Sequence, residues 1–216
     1  MLLKTLTLKL ESDKKIIGKP QLLRGFFATK FNEYVLLHQH HLGEFIYSYP
    51  LVQYKILNNI PTVIGINEGA EVLKEIYDKY DSIKLGDEEY RIYQREIIIK
   101  EQEFGVSGKF HKYKFLAPWF ALNQKNFQEY KELNNKDRKE KLRKIMIGNI
   151  IAVSKGLSYV VDREIKLDAE LVEVRSPFKG QEITTFNGEF IVNFNIPDLL
   201  GIGKSVSRGF GTIKKC

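Results

Sequence analysis

Residues Leu2–Leu10 alternate apolar and polar positions, the two-residue period of a half-buried strand. The period changes after Pro20. Leu23, Phe26, Phe27, Lys30, Tyr34 and Leu37 recur at helical spacing, and a proline near the first turn suits a helix start. Tyr47–Ile56 and Ile60–Ile66 predict two strands joined at Asn58-Asn59, a pair suited to a tight hairpin. Asn67 stands where it can cap a helix over Glu68–Tyr80, with Ala70, Leu73, Ile76 and Tyr77 on its buried stripe. Tyr90–Ile99 returns as a strand.

This order is β-α-β-β-α-β, the ferredoxin-like pattern. Gly105 and Gly108 flank a sparse connection, so a domain boundary is expected there, with domains over 1–103 and 104–216. The second half reads Tyr113–Leu122 as a strand and Asn126–Leu133 and Asp137–Lys155 as helices interrupted at Asn134-Asn135. Gly156 is the stop. Strands Ile165–Arg175 and Glu182–Phe194, a short turn at Pro197–Leu200 and a strand Phe210–Lys214 complete a second β-α-β-β-α-β with a degenerate second helix. The expected fold class is α+β, two tandem ferredoxin-like (RRM-like) domains. A four-stranded sheet with helices on one face leaves its other face open, and such faces commonly bind single-stranded RNA.

Composition narrows the partners. The 216 residues carry 34 Lys+Arg against 27 Asp+Glu, net +7, a basic excess that fits a polyanion without proving one. The lone cysteine is Cys216, so no disulfide within the chain is available and a reducing cytoplasm is expected. No apolar run reaches transmembrane length, and Met1-Leu2-Leu3-Lys4 does not read as a signal peptide, so no membrane partner is expected. The charge run Lys136–Lys144 reads as a solvated helix face.

Gly201-Ile202-Gly203-Lys204-Ser205-Val206-Ser207-Arg208-Gly209-Phe210-Gly211 concentrates four glycines with a lysine and an arginine. Missing Cβ atoms permit close approach, and backbone N–H groups in a nest bind anionic oxygens. The spacing is neither that of a Walker A loop nor that of a dinucleotide fingerprint. It predicts a loop that approaches phosphate.

Three of the four histidines lie together, His38-Gln39-His40-His41. Imidazole moves protons near neutral pH. An extended segment puts His38 and His40 on one face; a continuing helix puts His38 and His41 together. Tyr47 follows and supplies a hydroxyl. Zinc is the rival reading, but no cysteine pair or further ligand set completes a site, so no metal and no cofactor is expected. His111, isolated, reads as structural or exposed. Joined to an RNA site, an imidazole suits one reaction: a base deprotonates the ribose 2′-hydroxyl, the alkoxide attacks the adjoining phosphorus, an acid protonates the 5′-oxygen, and cations steady the phosphorane. Lys30 and Lys55 are candidate cations.

These residues resemble a known family. The glycine loop is similar to that of the RAMP superfamily of CRISPR proteins. Leu23-Arg24-Gly25-Phe26-Phe27-Ala28, the His38–His41 cluster, Tyr49-Pro50-Leu51-Val52-Gln53-Tyr54-Lys55 and Phe115-Leu116-Ala117-Pro118-Trp119-Phe120-Ala121-Leu122-Asn123 resemble the CRISPR repeat endoribonucleases, in particular their "b" subtype. The resemblance implies two ferredoxin-like domains and metal-independent cleavage of precursor RNA within its repeats. The ends left are a 5′-hydroxyl and a 2′,3′-cyclic phosphate. It places the catalytic histidine in the His38–His41 cluster, with His40 favoured as general base or acid, His38 as partner or substitute, and Tyr47 as the complementary hydroxyl. It implies RNA backbone contacts from the loop, at Gly201, Gly203, Lys204, Ser207, Arg208, Gly209 and Gly211, to which Lys30 and Lys55 are added as the candidate cations read from the residues themselves. The implied partner is CRISPR repeat RNA, precursor and mature guide, with a homodimer and other CRISPR-associated subunits as further partners. The superfamily also holds non-cleaving subunits, so an RNA-holding role is the alternative. A tandem RNA-recognition-motif protein outside CRISPR is a third reading, against which the expected central-strand motif is absent.

Overall fold

The computed structural model describes residues 1–38, 40–41, 44–45 and 49–216, with 40, 41, 44 and 45 described by their backbone alone. The chain forms two compact units. One holds Leu2–Gln102 together with Val206–Gly209; the other holds Met1, Glu103–Ser205 and Phe210–Cys216.

The N-terminal unit runs β1 (Leu2–Ser12), α1 (Pro20–Lys30), α2 (Val35–His38), β2 (His40–His41), β3 (Glu44–Phe45), β4 (Val52–Leu57), β5 (Ile60–Ile66), α3 (Glu68–Ile76), β6 (Ser82–Leu85) and β7 (Glu88–Glu103). Its main sheet has the order β4-β5-β1-β7-β6, while β2 and β3 pair separately. Without β6, the first and third strands of a βαββαβ unit lie at the centre and the second and fourth outside them, which is ferredoxin-like topology. Register runs from Val52↔Gly65 to Leu57↔Ile60 between β4 and β5. Asn58 and Asn59 make the hairpin with φ of 51° and 65°. Leu6, Leu8 and Leu10 of β1 pack with Leu23 and Phe27 of α1 and Leu73 and Ile76 of α3 in the core. The helix α3 lies close enough to the strands that a Cβ on Gly69 would stand 2.2 Å from the Leu51 carbonyl oxygen.

Two expected helices are shorter. The chain leaves α1 at Phe31 (φ −123°, ψ 53°), and Tyr34 and Leu37 belong to a turn and to α2 instead. The exit lets Phe31 pack on Phe27 and Tyr80. Likewise α3 stops at Ile76, and Tyr80 turns its ring into Phe26, Phe27 and Phe31. The strand expected over Tyr47–Ile56 is β4, which begins at Val52; residues 46–48 lie outside the described residues. The short β6 and its hairpin to β7, through Gly86 at φ +68°, were not foreseen.

The C-terminal unit runs β8 (Gly105–Phe115), α4 (Gln124–Glu132), α5 (Asn135–Gly156), β9 (Leu167–Phe178), β10 (Gln181–Asn195) and β11 (Ile213–Lys215). Its order, β11-β8-β10-β9, repeats the same topology, with all pairings antiparallel. No α-helix stands between β10 and β11, as the degenerate second helix predicts. Asn123 and Asn134 cap α4 and α5 through side-chain oxygens that accept from Asn126 N and Asp137 N. Trp119, Phe186, Phe190, Phe194, Met146 and Ile150 are buried in this unit.

Here too two expectations are corrected. Gly105 and Gly108 lie inside β8, whose extra residues are taken up by a register shift opposite Val192 and Phe194. The strand expected over Tyr113–Leu122 ends at Phe115; beyond Pro118, Trp119 makes an isolated bridge to Phe186. Among the described residues no helix is long and apolar enough to cross a membrane.

Candidate active site

His38 closes α2. Its Nε2 lies 3.1 Å from the Asn32 carbonyl oxygen. A carbonyl only accepts, so this bond requires the proton on Nε2 and anchors the ring. A helix end leaves its last carbonyls without helical partners. Here Tyr54 of β4 donates its hydroxyl to Leu37 O at 3.1 Å, and Arg24 of α1 donates Nη2 to His38 O at 2.5 Å. The end of α2 is therefore held from two elements, and β2 begins two residues later. His40 pairs with Phe45 and His41 with Glu44 in the β2–β3 ladder. The side chains of His40 and His41, and Tyr47 altogether, lie outside the described residues.

Glycines of the C-terminal loop serve the protein's own packing. A Cβ on Gly203 (φ +96°) would stand 2.6 Å from Trp119 Nε1, and one on Gly211 (φ +63°) would stand 1.9 Å from the Ile202 carbonyl oxygen. On Gly209 (φ +89°) it would stand 2.8 Å from Pro20 Cγ and 3.2 Å from the Tyr54 carbonyl oxygen. Gly201 bridges to Thr212, and Gly201, Gly209 and Gly211 are buried. The close approach read from the glycines is thus to protein atoms, and these three do not offer the open backbone expected of RNA contacts. Gly203, Lys204, Ser207 and Arg208 are half-buried and reach solvent. Lys204 donates its backbone N–H to Phe120 O and holds its ammonium 5.8 Å from the Phe120 ring centre; desolvation lowers its pKa.

Val206–Gly209 belongs to the N-terminal unit. Val206–Arg208 forms one 3₁₀ turn, and Gly209 seats against Pro20 and Tyr54. Arg208 thereby comes within electrostatic reach of Arg24, whose pKa is lowered first by burial and then by the Arg208 charge. Among the described residues the buried Arg24 Nε has no hydrogen-bond partner. The sequence quoted Arg24 only as part of a resemblance. Its signal was an arginine one turn after the helix-opening Pro20, but helical periodicity alone does not say which surface residue meets a segment 184 positions later.

Of the two lysines expected to meet RNA, Lys30 is exposed, with its ammonium 5.8 Å from the Phe31 ring. Lys55 is not at a surface. It is 1% exposed, and its ammonium donates to Gln53 Oε1 at 3.1 Å. Burial brings its pKa down to about 7. Gln53 in turn donates to Pro50 O at 3.2 Å. Among the described residues no group of three or more metal-ligating side chains is gathered.

The family model of the Cas6b N-terminal domain matches residues 1–103, and that of the Cas6b C-terminal domain matches residues 105–216. The chain belongs to the Cas6b family. A solved structure described as Cas6b is 36% identical, with full coverage of both chains and a TM-score of 0.93. Another, described as a CRISPR RNA processing endoribonuclease Cas6b, is 34% identical, again with full coverage of both chains and a TM-score of 0.80. A Methanocaldococcus jannaschii protein described only as uncharacterised is 46% identical over 142 residues, 64% of this chain and 95% of that one. The Cas6b likeness spans both units and includes the His38–His41 segment and the glycine loop.

Proposed function

We propose that this Cas6b protein is an endoribonuclease that cuts CRISPR precursor RNA within its repeats, without a metal. In this reading His40 exchanges the proton of the ribose 2′-hydroxyl or of the leaving 5′-oxygen. The resulting alkoxide attacks its own phosphodiester, which leaves a 2′,3′-cyclic phosphate and a 5′-hydroxyl. Tyr47 supplies the complementary hydroxyl. His38 holds the segment through its Asn32 bond and substitutes in part for His40. Lys204, Ser207 and Arg208 steady the RNA backbone.

One observation carries the reading beyond family membership. The loop that the basic motif singles out returns Arg208 to Arg24, and Arg24 holds the His38 carbonyl just before the remaining histidines. Cationic groups thus lie near the backbone that leads into the histidine segment. Such a grouping suits a reaction whose transition state is a charged phosphorane.

The test is incubation with labelled repeat RNA in excess EDTA. The wild type is expected to cut once per repeat, and a single 2′-deoxy substitution at the scissile nucleotide is expected to stop it. His38→Ala with His40→Ala is expected to lower the single-turnover rate by about 10²-fold or more while RNA is still bound. Loss of cutting on chelation, or cutting of the deoxy substrate, would overturn the mechanism. Tight binding of uncut repeat RNA by the wild type would leave the non-catalytic RNA-holding role.

A further inference from the structure

We propose that the open face of the C-terminal sheet carries its own site for single-stranded RNA, in which Phe110 stacks on a base and Lys114 and Lys214 hold a phosphate between them. That the strand is repeat RNA rests on the endoribonuclease reading; the site itself rests on the sheet.

The strand β8 alternates. Tyr113 and Phe115 are buried, whereas Phe110, Lys112 and Lys114 are exposed. Period two puts these last three on one side. The buried side meets the helices: Phe115 stacks on Trp119, whose Nε1 donates to Asn149 Oδ1 of α5 at 3.1 Å. On the open side Phe110 is 60% exposed. A single exposed apolar side chain is ordinary, but the backbone beneath this one is fixed. Register passes from Val192↔His111 to Phe194↔Val106, so 107–110 form a bulge, a device that re-aims side chains. Ser107 Oγ accepts the Lys109 N–H at 3.1 Å and lies 2.9 Å from His111 Nε2, which ties the chain on both sides of Phe110.

The lysines lie in line with that ring. Lys214 of β11 stands directly opposite Lys114. Such neighbours carry Cβ atoms about 4.5–5.5 Å apart, and like charges there are destabilising. On its other side Lys114 is opposite Glu189, but that carboxylate pairs with Lys112 at 2.6 Å. Among the described residues Lys114 and Lys214 make no ion pair. A phosphate between them offsets the repulsion. Beyond β10 the face turns acidic, with Glu170 opposite Glu189 and Asp168 opposite Ile191, so a polyanion is confined to the β8–β11 side. Phe110 lies about 13 Å along β8 from Lys114. An acidic peptide would use the lysines and leave the ring idle. A single strand of RNA uses both, because it offers a stacking base beside every phosphate.

The experiment uses the full chain and a labelled repeat RNA with a 2′-deoxy group at the scissile nucleotide, titrated at several salt concentrations. Phe110→Ala is expected to weaken binding about tenfold without changing the salt dependence, and Phe110→Trp to bind like wild type. Lys114→Gln with Lys214→Gln is expected to lower the slope of log affinity against log salt by about 0.7, the share of one single-strand phosphate. Lys136→Gln, exposed on α5, is expected to leave both readouts unchanged. On cleavable RNA at saturation, Phe110→Ala should keep the wild-type single-turnover rate. Unchanged affinity in Phe110→Ala, or Phe110→Trp binding no better than it, overturns the stacking. A lysine double variant with the wild-type slope overturns the phosphate contact. A changed oligomeric state of these variants in RNA-free sedimentation makes the face a protein interface and overturns the site. A wild type that neither binds nor cuts repeat RNA refutes the endoribonuclease reading instead. The site is then judged with oligo(U): weaker binding by both variants supports it, and binding equal to wild type overturns it.

Discussion

The two units share one topology, and the connection between their third and fourth motif strands sets them apart. In the N-terminal unit the chain between the third and fourth strands of the motif forms α3, which packs Ala70, Leu73 and Ile76 into the core. In the C-terminal unit the corresponding chain, between β10 and β11, contains no α-helix and carries the glycines. Both connections are pressed against backbone. Gly69 meets the Leu51 carbonyl, and Gly211 meets the Ile202 carbonyl. The helix satisfies its own backbone hydrogen bonds, so its glycine is needed only for contact. The loop must pair each backbone group with a distant partner: Ile202 N with Gly211 O, Lys204 N with Phe120 O and Gly211 N with Pro118 O. That need for left-handed conformations at Gly203, Gly209 and Gly211 explains the glycine density without reference to a ligand. What remains for a ligand is the side chains the loop presents.

The largest effect is expected at Gly211→Ala. The new Cβ would overlap a backbone oxygen and the residue keeps a positive φ, so a loss of about 4 kcal/mol is expected. Hydrogen exchange should show it as lost protection in β8 and β11. Gly69→Ala brings the same kind of overlap in a helix, where alanine regains up to about 1 kcal/mol of propensity. Its net loss should be smaller, about 3 kcal/mol, and confined to α3 and β5. An equal or reversed order would break the contrast between loop and helix.

Lys55→Met is expected next. The folded pKa of about 7 lies below the ordinary value of 10.5. Between those values the unfolded chain holds the proton and the folded one does not, so stability rises with pH across that window and is flat below it. Lys55→Met should remove the rise and stabilise the protein near pH 7 by about 1–4 kcal/mol, read from urea titrations at pH 6, 8 and 10. Tyr54→Phe deletes the bond to Leu37 O and should cost about 1 kcal/mol, detected as faster exchange in α2. The exposed Lys4–Glu71 pair joins β1 to α3 at 2.5 Å. Lys4→Ala should change stability by less than about 0.5 kcal/mol, diminishing further at high salt.

Much of the fold was legible in the pattern. The alternation of β1, the Asn58-Asn59 hairpin and the break at Asn134 are local features, and local chemistry decides them. The misplaced ends share another cause. Phe31 and Tyr80 leave their helices because aromatic burial outweighs continued helix, and Gly105–Phe115 is a strand because β10 offers it partners. In the candidate site, the histidine cluster and the loop's basic residues were visible as composition. Lys55 as an interior amine was not, because a lysine in a strand gives no sign of which face is covered.

Residue order alone determined that this chain holds two successive βαββαβ patterns, a cluster of imidazoles after the first helix and a basic glycine-dense loop, since each depends on neighbours within a few positions. Only the folded chain decided that the glycines are consumed by Trp119, Ile202 and Pro20, that Lys55 is enclosed, and that the Arg208 charge reaches Arg24. Those outcomes join residues up to 189 positions apart. Packing in three dimensions, and not the period of the sequence, sets which of them meet.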